Sequence, residues 1–404
     1  MSRTTTARPR NRKAQLAAVA AELFRTHGYH EVGISDIAAA AGVTGPAIYR
    51  HFTDKQDMLA HVVLSGVDEL AEATSRAIGT DPHPSAEQVE DMLATMAKLS
   101  VERRELTALW RTQRRHMRES DRAATRRRSR ELLDNWTRAL RAVRPELPEA
   151  DAELLCWAAL STFGSASMHS TRIAKRRFER VLAERARAVL HCTLPESAPP
   201  APGAQARETA AEVTESQVLR ASRREQLITE AGRLFQVRGF HEVSMDDIGA
   251  AAGISGPSVY RHFPSKAALF LAVSQRVTDR LERGRQRVSE TATDETAALR
   301  GLISSYVETM FTHADLLAVG QQMSALSEGE RAELRRVQRD YVSEWVRLLC
   351  ALQPERDTQE GRIIVHIALT IANDLLRTRR ITARPGIRAE LETLMATALG
   401  LPSR

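Results

Sequence analysis

The strongest constraint on this 404-residue chain is that it repeats itself. The segment DIAAAAGVTGPAIYRHFTDKQDML (Asp36–Leu59) returns 211 residues later as DIGAAAGISGPSVYRHFPSKAALF (Asp247–Phe270). Self-similarity at a fixed offset sets the architecture ahead of any local signal. The likeness extends in both directions. Before the segment, Leu16, Val19, Ala20, Leu23 and Phe24 mark one helical face, and Leu227, Ala231, Leu234 and Phe235 repeat most of it. After it, Arg122 and Arg331, Trp136 and Trp345, Pro145 and Pro354, and Ala159-Leu160 and Ala368-Leu369 align at an offset of 209. The drift from 211 to 209 is only a small net deletion, so a whole domain is duplicated. The length then reads as two domains of roughly 195 residues each.

Helical spacing runs through almost the whole chain, and no alternating strand pattern bounded by turn residues interrupts it. The expected fold class is all-α. At 43% apolar and 27% charged the composition is that of a soluble globular protein. No run approaches the ~18 uncharged apolar residues of a membrane span, and the basic start MSRTTTARPRNRK lacks the apolar core of a secretion signal. A cytoplasmic protein without a membrane partner is expected. Cys156, Cys192 and Cys350 lie far apart in apolar helical runs, so they read as buried thiols and imply no metal site. The formal charge of +7 permits nucleic-acid binding without demanding it. Residues 1–200 carry 31 basic and 25 acidic side chains, and the remainder 27 and 26. With no uniform basic coat, any contact with nucleic acid would have to come from local patches.

Within the first copy a helix ends near His27-Gly28, where glycine suits a left-handed cap. A short helix with Ile37, Ala38 and Ala41 follows and stops at Gly42. Another spans Thr44 to Phe52, with Thr44 as the expected N-cap and Pro46 tolerated in the first turn. Asp54 then caps a longer helix beginning at Lys55. Two short helices joined by a tight glycine turn form a helix-turn-helix. The second copy has the same plan through Gly239, Ile248, Gly253, Ser255 to Phe263, Ser265 and Lys266. Ser244 and Asp247 make a capping pair where the first copy has Gly33 and Asp36. Glycine at an N-cap costs only a few tenths of a kcal/mol, so both helices are expected to form.

The pattern DIA…AGV…G-P-x-[IV]-Y-R-H-F-x-x-K resembles the DNA-binding domain of the TetR/AcrR family of bacterial regulators, and the tandem form is similar to double TetR repressors of actinobacteria. Gly33 and Gly249 depart slightly from the usual pattern. The resemblance implies that Thr44, Gly45, Pro46 and Ala47, with Ser255, Gly256, Pro257 and Ser258, face base edges. Tyr49, His51 and Lys55, with Tyr260, His262 and Lys266, would contact phosphates; Arg50 and Arg261 would meet phosphate or guanine. Arg10, Arg12 and Lys13, and Arg220, Arg223 and Arg224, add basic flanks. The run Arg126-Arg127-Arg128-Ser129-Arg130 reads as a solvated helix face.

The expected domains are a first helix-turn-helix domain at 10–75, a first regulatory helical domain at 76–194, a linker at 195–216, a second helix-turn-helix domain at 217–286 and a second regulatory domain at 287–404. The linker is Pro/Ala-rich at its start, an extended spacer. Each regulatory domain is expected to hold five helices. By the resemblance, the last two (about 149–171 with 178–192, and 358–377 with 385–399) form dimerisation bundles, which would make one chain a pseudo-dimer, with a further homodimer open. The resemblance also implies an apolar effector of lipid or acyl-CoA type. Met96, Trp110, Trp136 and Phe163, and Met310, Met323 and Trp345, are its candidate contacts, beside their plain reading as core. The leading function is a ligand-responsive repressor reading two similar, non-identical half-sites in operator DNA. The alternative is an architectural or weakly specific DNA binder, disfavoured by the near-neutral second half. No metal cluster, nucleotide loop or nucleophile motif points to an enzyme or a cofactor.

Overall fold

A computed structural model of the chain describes residues 12–79, 83–105, 108–109, 116–168, 173–195, 223–312 and 326–402. The fold is all-α, with no strand among those residues. Up to Leu190, Ile173 excepted, they form one compact unit, and from His191 onward they form another. Most of the 195–216 linker lies outside the described residues.

The first unit opens with α1 (Arg12–His27), α2 (Ile34–Ala40) and α3 (Gly45–Ile48). These pack on the start of α4 (Lys55–Ile78) to make a small head. The core of the head is Leu16, Ala20, Phe24, Ile37, Ile48, Phe52, Met58, Leu59, Val62 and Val63, the apolar face expected from the sequence. Gly28 and Gly42 end α1 and α2 at φ of 89° and 63°, a left-handed conformation open to glycine at no steric cost. α4 continues past the head into a body of α5 (Ala86–Glu102), α6 (Glu119–Val143), α7 (Glu149–Gly164) and α8 (Lys175–Leu190). One unbroken helix therefore links head and body. A second link is hydrophobic: Leu109 and Met117 enter the core of the head.

The second unit repeats this plan with α9 (Arg223–Arg238), α10 (Met245–Ala251), α11 (Gly256–Val259) and α12 (Lys266–Thr291). Its body holds α13 (Glu295–Thr312), α14 (Glu328–Leu352), α15 (Thr358–Leu376), the one-turn α16 (Arg379–Thr382) and α17 (Ile387–Leu399). Leu326, aligned with Met117 at the 209 offset, again reaches the core of the head.

Each body has four helices longer than a turn among the described residues; where a fifth would fall, residues 106–107, 110–115 and 313–325 lie outside them. Of the paired helices, α7 ends earlier than the sequence suggested, at Gly164, where a 3-10 turn (Ser165–Ser167) takes over. Trp136 is fully buried, donates from Nε1 to the Thr74 hydroxyl at 3.0 Å and meets Phe163 edge-on. Its counterpart Trp345 is equally buried between Tyr306 and Tyr341. Met96 and Met310 are buried as well. Trp110 and Met323 lie outside the described residues. Two open grooves of about 580 and 320 Å³ run along α12 in the second unit, and neither is lined by any of the candidate effector contacts. The arginine run on α6 is a surface face, with Arg126 paired to Glu119 and Arg128 to Asp68, both at 2.6 Å.

Candidate nucleic-acid interface

The recognition helices α3 and α11 are only four residues long, too short to hold themselves. Burial of one side chain in each fixes them. Ile48 and Val259 are fully buried, and Phe52 and Phe263 close the same cores a turn later. Anchoring the helix on both sides of the tyrosine forces the ring outward. Tyr49 is 58% exposed and Tyr260 55%, so burial explains neither ring. Arg50 and Arg261 are also exposed, while His51 is half-buried and His262 exposed.

Thr44 and Ser255 have the extended backbone of an N-cap, with ψ of 154° and 147°, yet neither hydroxyl accepts a capping bond. The capping role expected of Thr44 is confined to its backbone: Thr44 O accepts from Ala47 N at 2.9 Å. Ser255 Oγ instead lies 2.8 Å from Ser258 Oγ, a hydroxyl pair that Thr44 and Ala47 cannot form. The α4 and α12 starts behave as read, with Asp54 accepting from Asp57 N at 2.8 Å and Ser265 from Ala268 N at 3.1 Å.

Both lysines begin their helices, but the structure turns their ammonium groups inward. Lys55 Nζ donates to Tyr29 O at 2.8 Å and Val32 O at 2.9 Å, and sits 4.3 Å from the Tyr29 ring centroid. Lys266 Nζ donates to Phe240 O and Val243 O, both at 2.7 Å, and sits 4.4 Å from the Phe240 centroid. Burial lowers the pKa of both. Each lysine clamps the loop between the first two helices of its head. Sequence reading missed this clamp because the partners are carbonyls 23 and 26 residues away, which no residue type advertises.

The basic flanks are anchored as well. Lys13 lies 5.1 Å from the centroid of Phe52, and Arg224 sits 4.8 Å from that of Phe263, the same pair at the repeat offset. Arg223 donates to Ala252 O at 3.1 Å, at the end of α10. Arg10 and Arg220 lie outside the described residues. The cations are thereby held close to the end of each recognition helix, where cation–π contact fixes their position without neutralising them.

The heads differ where their two short helices meet. Ser244 and Asp247 form the full capping box, with Asp247 N to Ser244 Oγ at 3.0 Å and Ser244 N to Asp247 Oδ2 at 2.8 Å. Gly33 has no side chain to offer and keeps only the return half, its N–H donating to Asp36 Oδ2 at 2.7 Å. Gly249, which stands in for Ala38 of the first copy, is a contact residue. A Cβ there would lie 2.9 Å from Ile254 O and 3.1 Å from Gly256 N. Its lack of a side chain lets α10 approach α11 more closely than an alanine would allow.

Comparison with known proteins matches this geometry twice. The family model described as bacterial regulatory proteins of the tetR family fits residues 16–62 and 227–273. The chain carries two tetR-family segments in tandem. Among curated members, the HTH-type transcriptional activator FasR of Mycolicibacterium smegmatis is 40% identical over 89 residues, 22% of this chain and 41% of FasR. The regulator EthR of Mycobacterium tuberculosis is 29% identical over 161 residues, covering 39% of this chain and 73% of EthR. The repressor KstR2 of M. smegmatis is 32% identical over 109 residues, 27% of this chain and 53% of its own. Thus the matches span from about two fifths to three quarters of these relatives. A solved family structure, KstR2 of M. tuberculosis, aligns at 16% identity and a TM-score of 0.39, over 45% of this chain and 95% of its own. No described helix is long and apolar enough to cross a membrane.

Proposed function

We propose that the chain is a sequence-specific DNA-binding transcriptional regulator acting as a repressor, in which one chain brings two reading heads to one operator. The observation that carries this is the outward-held tyrosine of each head, exposed alike at Tyr49 and Tyr260 beside a fully buried anchor. An aromatic body with a polar tip, next to small residues and aromatic-anchored cations, suits a phosphate backbone beside a groove. In this reading Thr44, Gly45, Pro46 and Ala47 face bases in one half-site, and Ser255, Gly256, Pro257 and Ser258 in the other. Tyr49, Arg50 and His51, and Tyr260, Arg261 and His262, meet the backbone. Lys55 and Lys266 act on DNA through the loops they hold. Met96, Trp136, Phe163, Met310 and Trp345 serve first as core, and an apolar effector would act by loosening that packing. Having both heads on one chain supports a pseudo-dimer that needs no second copy.

The test is selection of bound sequences from random double-stranded DNA by the full chain. A site with two similar, unequal halves is expected, with one chain per site by analytical ultracentrifugation. Tyr49→Ala and Tyr260→Ala should each remove one half of the footprint while leaving the melting temperature unchanged, since both rings are exposed. Either variant binding the full site normally would refute the role of that head.

A further inference from the structure

The two heads carry different chemistry at the point where the recognition helix begins. α2 opens Ile34-Ser35-Asp36 and α10 opens Met245-Asp246-Asp247. The second acid has the same job in both: Asp36 and Asp247 each hold the backbone N–H three residues back. Asp247 also takes Arg238 at 3.1 Å and the Ser244 hydroxyl at 2.7 Å. Asp246 has no such duty. It is exposed and makes no hydrogen bond or ion pair with the described residues. Its carboxylate is laid over the first residue of α11: a Cβ added to Gly256 would overlap Asp246 Oδ1, whereas a Cβ on Gly45 of the first head would meet nothing within 4 Å. Gly256 is accordingly buried and Gly45 only half so. Gly249 makes this possible by letting α10 close on α11. Beside the carboxylate stands the Ser255–Ser258 hydroxyl pair, where the first head has Thr44 and the methyl of Ala47.

We propose that Asp246 is the residue that sets the specificity of the second head apart from that of the first; this deepens the operator-reading proposal and rests on it. A carboxylate offers only acceptors, so at a base edge it selects an amino group and rejects the O6 and N7 acceptors of guanine. Cytosine N4 is its natural partner in the major groove. It also repels phosphate, so it disfavours any docking that brings the backbone to the start of α11. The first head has no anion at that point. Its Ala47 methyl suits the methyl of thymine. The half-site of the second head should therefore hold a cytosine opposite the start of α11, and the half-site of the first should tolerate other bases there.

The experiment is selection from random double-stranded DNA by the full chain and by Asp246→Ser, Asp246→Asn and the reciprocal Ser35→Asp, with Tyr260→Ala identifying which half belongs to the second head. Asp246→Ser should reduce the cytosine preference in that half by about fivefold or more, at the low end of base-contact discrimination, and leave the other half unchanged. Asp246→Asn, which both donates and accepts, should move the preference toward adenine, and Ser35→Asp should bring a cytosine preference into the first half. Circular dichroism should match the parent for all three, as both positions are on the surface. Unchanged base preferences in Asp246→Ser and Asp246→Asn would overturn the assignment while leaving the operator reading intact. A parent chain that selects no sequence would instead overturn the operator reading itself, and this assignment with it.

Discussion

Replacing Lys55 by methionine separates two roles that its position allows. Methionine keeps an unbranched apolar stem and removes only the ammonium, so the packing of α4 is preserved. What disappears are two charged hydrogen bonds, to Tyr29 O and Val32 O, and the contact with the Tyr29 ring. Hydrogen bonds to charged groups are worth roughly 1.5–3 kcal/mol when buried and a cation–π contact about 0.5–1 kcal/mol at an exposed site. Lys55 is only half-buried, and water can reach the freed carbonyls, so the net loss is about 2–3 kcal/mol, felt locally. Hydrogen exchange in the Gly28–Asp36 loop should then speed up about 30- to 150-fold, at 1.36 kcal/mol per factor of ten. The same loop in the second head should not change. If instead exchange is unaffected, and the slope of log Kobs against log salt for DNA binding falls by about 0.9, the lysine acts on phosphate directly and the clamp argument is wrong.

Three other substitutions test the packing. Gly249→Ala places a Cβ 2.9 Å from Ile254 O, so the backbone has to move; a loss of about 1–3 kcal/mol is expected, with weaker footprinting in the second half-site and none of the same effect from Ala38→Gly beyond about 1 kcal/mol of helix propensity. Trp136→Phe leaves the buried Thr74 hydroxyl without its 3.0 Å donor and should cost about 1–3 kcal/mol by urea denaturation; adding Thr74→Val should recover part of it, and strictly additive losses would refute the coupling. Burial, helped by Arg362, pushes His366 from 6.5 down to about 4. The unfolded chain then binds a proton below pH 6.5 that the folded chain refuses until about pH 4. Stability should fall as pH drops through that window, by up to about 3 kcal/mol, and the urea midpoints of His366→Phe at pH 7 and pH 5 should differ less than those of the parent. An equal difference would remove His366 from the account.

Much of each head is legible in the sequence. The apolar spacing of Leu16, Ala20 and Phe24, the glycines at 28 and 42, and the run from Thr44 to Phe52 specify one longer helix, two short ones and their turns by local rules alone. Periodicity and turn chemistry act between near neighbours, which is why a linear reading finds them. Caps were less secure: Thr44 has the backbone of a cap and not its hydrogen bond, and Ser255 turns its hydroxyl to Ser258 instead of capping. Helix ends in the bodies were less legible, as α7 shows by stopping at Gly164, since apolar spacing marks a buried face without marking where a helix stops.

The sequence by itself determined the duplication, the all-α class, the two helix-turn-helix heads and the residues that begin the second short helix of each. Only the tertiary structure decided that Lys55 and Lys266 face loop carbonyls, that Tyr49 and Tyr260 stand outward, and that Asp246 lies across Gly256 while Ser35 leaves Gly45 open. The lysine and Asp246 contacts join residues 10 to 26 positions apart, too far for local rules to specify. In the second head the approach of α10 to α11 is allowed by the missing side chain of Gly249, whose consequence appears only when both helices are placed in space.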